Sequence, residues 1–526
     1  MKLKNSFCYF VIFGVLICNA FVSANDTALL EISVIDASSG ETVPARLRIR
    51  DHAGKDYIPT GRLEVPIAND RWFVTDGFEK NTFSPGTVTL RAERGLEYRP
   101  VKQKIAIASG QIKKHQIKLQ RWIDMRKRGY VSSENHVHLG IEQAAAMAAA
   151  EDLDFATLLS WWHSPKIQFP QDSQWVQKIK FAGITVPTAV FCGEKEDSWG
   201  AVYATGLRSP VEFKGGPVRS NLEFIKSARR KNGLICYQGG WSREVLIDAL
   251  AGLVDVVNVC NNNFHRHKFQ PRRQYSNLLE VDGFPEYPET PEGMMQMNTD
   301  TYYRLLNCGL KLAAGAGSAI GAKSTPIGYN RAYVRAGKNP DMTQFLQAWS
   351  KGRNFVTNGP MIFLSTGKGH RPGDSIDLLS CGDKITFNVE AVSEQPLCSL
   401  EIIANGGVVA SAKLDTNQKN VKISHTLDIK QGAWVAARCT EQDLFLSDDE
   451  LEKYRQGSGF YRREPCRLRF AHTSPIYVTV KGRGARVDKS IKEANKMLEA
   501  FRKFARKEAS QEYLKEILDA IPERIE

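Results

Sequence analysis

From Leu29 to about Leu119 short apolar runs alternate with polar and turn residues. "LEISVIDASSGETVPARLRIRDHAGKDY" reads as strand, turn, strand, turn, and "GTVTLRAERGLEYRPVKQKIAIASGQIKKHQIKL" continues the pattern, which predicts a small β-sandwich. After "RWIDMRKRGY" the periodicity changes. "IEQAAAMAAAEDL" is a strong helix former, "DFATLLSWW" an apolar run, "VPTAVFCGE" a strand with a polar end, and "NLEFIKSARRKNG" an amphipathic helix closed by Gly233. "LICYQGG", a helix near "REVLIDALAG", the strand "VDVVNVCNNN", the helix "NTDTYYRLLNCG" and "LKLAAGAGSAIG" follow. Repetition of strand, polar carboxyl end and helix predicts an α/β barrel or parallel sheet, with its chemistry at the carboxyl ends of the strands.

Beyond "FLQAWSKGRNFVTNGPMIFL" strands return in "DKITFNVEAVS", "CSLEIIANGGVVASA", "WVAARCT" and "SPIYVTV", a second β-sandwich. The tail reads as helix from Ser490. Ser490 and Glu493 have capping-box spacing, and Ile491, Ala494, Met497, Phe501 and Phe504 make an apolar stripe. The stripe is expected to pack on its own sandwich, with membrane contact by the basic face as the alternative. The expected fold is multidomain α/β plus all-β: a sandwich over 25–121, an α/β barrel over 122–357, a second sandwich over 358–482 and a helical tail over 483–526.

Composition agrees with several folded units. At 526 residues the chain exceeds what one core organises, and 42% hydrophobic with 25% charged residues is a globular balance. The first 24 residues read as a secretory signal: Lys2 and Lys4, an apolar run from Phe7 to Phe21, then Val22-Ser23-Ala24. The mature chain would begin near Asn25, in the periplasm or outside the cell. An uncleaved anchor or lipidation at Cys18 are the alternatives, the latter disfavoured by the bulk of Ile17. No later stretch is apolar for long enough to span a bilayer.

Loss of Lys2 and Lys4 takes the formal charge from +13 to +11. For an exported protein this favours anionic polymers, acidic small substrates or membrane surfaces over nucleic acid. Cys192, Cys236, Cys260 and Cys308 sit beside apolar runs and read as buried thiols. Cys381, Cys398, Cys439 and Cys466 are candidates for bridges whose pairing spacing cannot give. No CxxC is present, which argues against a structural zinc site of that kind.

"VSSENHVHLG", residues 131–140, carries the most pointed chemistry. On an extended strand Glu134, His136 and His138 would share one face, a chelating arrangement if that face is concave. The order of pieces around it resembles the PHP superfamily of metal-dependent hydrolases, especially the exported CehA/McbA-like metallohydrolases. The likeness covers about residues 122–360: "SSENHVHL" stands at the HxH strand, "AAEDLDFATL" at the next helix and strand, and "YYRLLNCGLKLAAGAGSAIGAKSTPIGYNRAYV" at the closing segment. "VPARLRIRDHAGKDYIP" resembles the carboxypeptidase regulatory-like modules that precede many exported hydrolases.

In the PHP family these motifs set histidines and carboxylates around two or three divalent metals, which activate water to cut phosphoester, ester or amide bonds. The resemblance carries over to His136 and His138 as the first ligand pair and to Glu194, or Glu196, on a later strand end. The Asp-His position falls on Ser160 and Trp161, with His163 just beyond. The later single histidine falls at Tyr237 or Gln238, and the final Asp-x-His on Ala319 and Gly321. These gaps imply at most one ion, zinc, manganese or iron, held by His136, His138 and Glu194 with His163 or His265 added, while Glu134 or Glu196 takes a proton. The alternative is that the HxH pair lines the mouth without a metal.

In "VNVCNNNFHRHKFQPRRQYSN" a strand end runs into His265, Arg266, His267, Lys268, Arg272 and Arg273. Guanidinium groups at a barrel mouth suit carboxylate, sulfate or phosphate; otherwise the loop is a solvated or packed surface. Arg266 and Arg273 are the expected substrate contacts. Trp161 and Trp199 would line the pocket for sugar or aromatic rings, or else be core. "GAGSAIG" lacks the spacing and position of a dinucleotide fingerprint, and Ser318 lacks the GxSxG frame. The expectation is a metal-dependent hydrolase acting on an anionic or carbohydrate-related substrate. Its rivals are a non-catalytic glycan- or ligand-binding protein and a structural protein of the cell envelope.

Overall fold

The computed structural model describes residues 27–67, 69–162, 173–211, 220–271, 285–459 and 462–525. The signal-like segment, His163, Arg272 and Arg273 lie outside the described residues, as do the side chains of Trp161 and Trp162.

The central region is built on seven strands: β1 (Ala156–Trp162), β2 (Val176–Phe181), β3 (Ile184–Asp197), β4 (Gly200–Thr205), β5 (Leu234–Tyr237), β6 (Val256–Cys260) and β7 (Ala313–Ala316). They run in the order β1-β3-β4-β5-β6-β7, with β2 antiparallel on β3. The pairs β1/β3, β5/β6 and β6/β7 are parallel, whereas β4 is antiparallel to both neighbours. Parallel neighbours need a crossover. The helices Val245–Leu250 and Pro291–Asn307 supply it for β5/β6 and β6/β7. Covered on both faces, β6 reads as an unbroken buried run, VVNVC.

Among the described residues the seven strands close no continuous ladder. The segment 134–138 lies between the two edge strands: the amides of Asn135 and His138 donate to the carbonyls of Ala316 (3.1 Å) and Ile320 (2.8 Å), and the Leu159 amide donates to the Val137 carbonyl (2.8 Å). The helix Asn221–Arg230 ends one residue earlier than Gly233 suggested. Asn232 takes the left-handed conformation (φ 60°), and the Gly233 amide returns to the Ala228 carbonyl at 2.9 Å.

The N-terminal sandwich pairs a sheet of 78–83, 28–36 and 112–119 with one of 64–67, 70–75, 45–50, 86–93 and 101–107. Leu30, Ile32 and Val34 meet Leu47, Ile49 and Leu90 between them. Arg46 pairs with Glu93 of the same sandwich (2.9 Å) and links it to the central region through Glu151 (2.7 Å), and Arg94 pairs with Asp152 (2.8 Å). At the other end a nine-stranded sheet joins Val131–Ser133, Arg331–Val334 and Asn354–Thr357 to the strands Leu468–Thr473, Ala433–Gln442 and Leu397–Ala404. One ladder thus crosses position 357, and the entry to the HxH segment is anchored in it. The strands Met361–Thr366, Asp383–Val392 and Asn420–Ile429 form the facing sheet.

The tail departs from expectation. Its helix starts at Asp488, before Ser490, and no capping box forms. Ser490 instead accepts a hydrogen bond from Asn307 (3.1 Å), and Glu493 accepts one from Arg304 (2.9 Å). The stripe residues Ala494, Met497 and Phe501 are buried in the core of the central region rather than on the second sandwich. The cysteines 192, 236, 260, 308, 381, 398, 439 and 466 are all free thiols. Cys398 is exposed while Cys439 on the neighbouring strand is buried, so that pair points to opposite sides. No helix among the described residues is long and apolar enough to cross a membrane.

Candidate metal centre

Glu194 owes its place to a hairpin. β3 and β4 meet at a turn in which the Asp197 carboxylate accepts the Trp199 amide (2.8 Å) and Gly200 adopts φ 128°. Counting back from that turn, the register sets Asp197 opposite Gly200 and Glu194 opposite Tyr203. Cross-strand partners share a face, so the carboxylate and the phenol stand side by side.

The HxH segment passes over them. The Glu194 carboxylate oxygen Oε2 lies 3.5 Å from His136 Nε2 and 3.3 Å from His138 Nε2. The ligand atoms of all three residues fall within 4.8 Å of one another. Among the described residues this is the one group of histidine, cysteine or carboxylate side chains spaced to hold a metal ion. The separations are informative. Ligands about 2.0–2.1 Å from a tetrahedral ion stand about 3.3–3.4 Å apart, close to the two distances to Glu194 and shorter than the 4.8 Å within which the whole group falls.

Close approach of the last strand and the turn after it makes the group compact. A Cβ on Gly317 would lie 2.5 Å from the Cβ of His136, and one on Gly321 would lie 2.0 Å from the His138 carbonyl oxygen. The glycines of "GAGSAIG" therefore serve packing against the HxH segment. Solvent reaches the group at the His138 side, where the His138 side chain is 10% exposed against 2% for Glu194.

The electrostatics suit a cation. Burial alone would raise the Glu194 carboxyl, but His136 and His138 outweigh it and hold the group at about 2. Burial pushes His136 below its ordinary value; the Glu194 charge opposes that shift, while His138 and Lys323 reinforce it. An ionised carboxylate beside a neutral imidazole is the ligand-competent state. His136 also meets the Tyr203 hydroxyl through Nδ1 at 2.9 Å.

The other expected residues are distributed as follows. Glu134 does not join the group: its carboxylate accepts the Ser318 amide (2.7 Å), and burial pushes it up to about 8, so it is protonated at neutral pH rather than a base. Glu196 is half-buried two residues beyond Glu194. His265 is buried in a short hairpin, outside the three-residue group. Arg266 is turned away from the centre and pairs with Glu93 of the N-terminal sandwich at 2.5 Å. The hairpin folds back onto the second sandwich, where Lys268 pairs with Pro465 and His267 stacks on Tyr454. Trp199 is fully buried and meets Phe501 and Phe504 edge-on, so it lines core and not a pocket.

The positions at which the resemblance leaves no ligand are engaged internally. Ser160 donates to the Cys192 carbonyl (3.1 Å), Gln238 to Asn262 (2.7 Å) and Tyr237 to Asp248 (2.5 Å). Ala319 occupies a left-handed turn (φ 57°), with its carbonyl taken by the Lys323 amide at 2.7 Å. Sequence reasoning missed Tyr203 and Lys323. The register of the "EKEDSWGAVY" hairpin was the available signal for the former. Comparison with protein-family models and with curated proteins returns no match.

Proposed function

We propose that the chain is an exported hydrolase of PHP type that uses one divalent ion, zinc, manganese or iron, on an anionic or carbohydrate-related substrate. The observation that carries this reading is the convergence of His136, His138 and Glu194 at ligand spacing in a buried position. Its place, on a segment spanning the first and last strands of the central sheet, supports a distorted barrel of that family's kind.

The donor set fits the ion: two imidazoles and one carboxylate leave a tetrahedral position for water or substrate. A bound ion would supply Lewis acidity, lowering the pKa of water and polarising an oxygen of the scissile bond. The chain's own residues do the rest. Glu194 neutralises part of the ion's charge, and His138 marks the open side through which substrate enters. Glu196, half-buried two residues further along the strand that carries Glu194 and so on the same face of it, is the proton acceptor. Lys323, whose positive charge reaches His136 from the turn after β7, replaces Arg266 as the group that draws an anionic substrate.

The engagement of Ser160, Tyr237 and Gln238 in internal hydrogen bonds favours a second reading, a ligand- or glycan-binding protein without catalysis. A panel of phosphomonoester, phosphodiester, carboxylic ester and amide substrates separates the two. Turnover that requires added zinc, manganese or iron and is lost in Glu194→Gln supports the hydrolase. Binding of an anionic glycan without turnover, under every metal, supports the alternative.

A further inference from the structure

We propose that Tyr203 is the positioning residue that sets the metal-binding tautomer of His136, its hydroxyl changing from hydrogen-bond donor to acceptor when an ion is taken up. The inference rests on the metal reading of His136, His138 and Glu194.

A neutral imidazole carries one proton on either of two nitrogens, and only the other nitrogen has a lone pair for a ligand bond. In His136 the two nitrogens face different partners. Nδ1 lies 2.9 Å from the Tyr203 hydroxyl, and Nε2 faces Glu194 Oε2 at 3.5 Å with His138 beside it. Without a cation, a lone pair on Nε2 would confront the lone pairs of the Glu194 oxygen 3.5 Å away, so the proton belongs on Nε2 and the Tyr203 O–H donates to Nδ1. With a cation between Nε2 and Glu194 the proton belongs on Nδ1, which then donates to the Tyr203 oxygen. One proton leaves Nε2 and one joins Nδ1, so the imidazole stays neutral throughout. A backbone carbonyl could serve only the second state and an ammonium only the first. A hydroxyl serves both.

The fold keeps this partner in place. Tyr203 is fully buried on β4, its backbone paired with Glu194 on one side and Cys236 on the other. The His136 and Tyr203 rings are 4.5 Å apart between centroids. The same register that delivers the carboxylate ligand therefore delivers the residue that orients the imidazole, an outer partner of the kind that tunes ligand basicity.

The test uses the full mature chain and zinc alone as the probe. Competition titration should show Tyr203→Phe binding zinc about 10–100-fold more weakly than the parent, because an ion on Nε2 makes Nδ1–H the stronger donor and so strengthens the bond to Tyr203, while the metal-free variant, having lost the weaker bond to Nδ1, melts only modestly below the metal-free parent. Equal zinc affinity would overturn the proposal and leave the metal reading standing. A parent protein that takes up no zinc would overturn both. If Tyr203→Phe fails to fold, nitrogen-15 spectra of the parent decide: the proposal requires His136 Nδ1 to be protonated in the zinc form and unprotonated in the metal-free form. A protonated Nδ1 in both forms, or zinc on Nδ1, would overturn it.

Discussion

Gly321 presses its α-carbon against the backbone of His138, so closely that a Cβ there would stand 2.0 Å from the His138 carbonyl oxygen. The backbone at Gly321 is also left-handed, with φ 94°. The turn after the last strand and the HxH segment are thus shaped to each other.

Gly321→Ala should therefore displace the His138 backbone. Strain of a left-handed non-glycine residue is of order 1–3 kcal/mol, and the steric overlap adds to it. Thermal unfolding should show a lower Tm, and metal content should fall with it. An unchanged melt would mean that the turn yields freely.

Asp152 ties the N-terminal sandwich to the central region through Arg94 (2.8 Å) and Arg121 (2.7 Å), and Arg126 of the segment that follows reaches the same carboxylate (3.3 Å). Burial would raise its carboxyl, but the three guanidinium groups hold it at about 2. A carboxyl depressed in the folded state contributes stability above its unfolded value, about 3.9, and loses that contribution as pH falls toward about 2. Asp152→Asn should cost about 3–5 kcal/mol near neutral pH and flatten acid unfolding between about pH 4 and 2. Denaturant titrations across that range measure both.

Much of the strand and helix order was legible because periodicity changes sharply at "RWIDMRKRGY" and again after "FLQAWSKGRN". His136, His138 and Glu194 were legible too, and the structure brings them together. Glu134 was misplaced because strict alternation was extended through 134–138, whereas the regular strand ends at Ser133. Arg266 and Trp199 were misplaced for another reason. Local pattern locates a residue near a strand end without saying whether solvent, a sandwich or a distant helix covers it. Only the tail helix makes Trp199 core, and only Glu93, 173 positions away, makes Arg266 structural.

Removing Arg266 consequently tests packing rather than substrate contact. Burial would raise the Glu93 carboxyl, but Arg266, Arg46 and Arg91 outweigh it and hold the group at about 2. Arg266→Ala should destabilise the chain by less than the about 3–5 kcal/mol of orphaning a buried charge, because Arg46 still holds Glu93 at 2.9 Å, and should not change metal stoichiometry. Chemical denaturation beside metal analysis reads both quantities; a stable variant with altered metal content would contradict this assignment.

The tail helix is part of the central core, not an appendage. Phe501→Ala should cost about 3–5 kcal/mol and uncover Trp199, whose ring lies 5.6 Å from Phe501 and 4.9 Å from Phe504 between centroids. Tryptophan emission should shift to the red in this variant. An unshifted spectrum and an unchanged melt would show that the helix adds nothing to the core.

The central claim is that His136, His138 and Glu194 bind a single ion. Elemental analysis by plasma mass spectrometry of the purified mature chain, beside His136→Ala/His138→Ala, tests it most directly. The account predicts about one zinc, manganese or iron per chain, as a three-ligand site implies, lost in the double variant while the fold persists. Metal absent from the parent after reconstitution, or retained in full by the double variant, would contradict it.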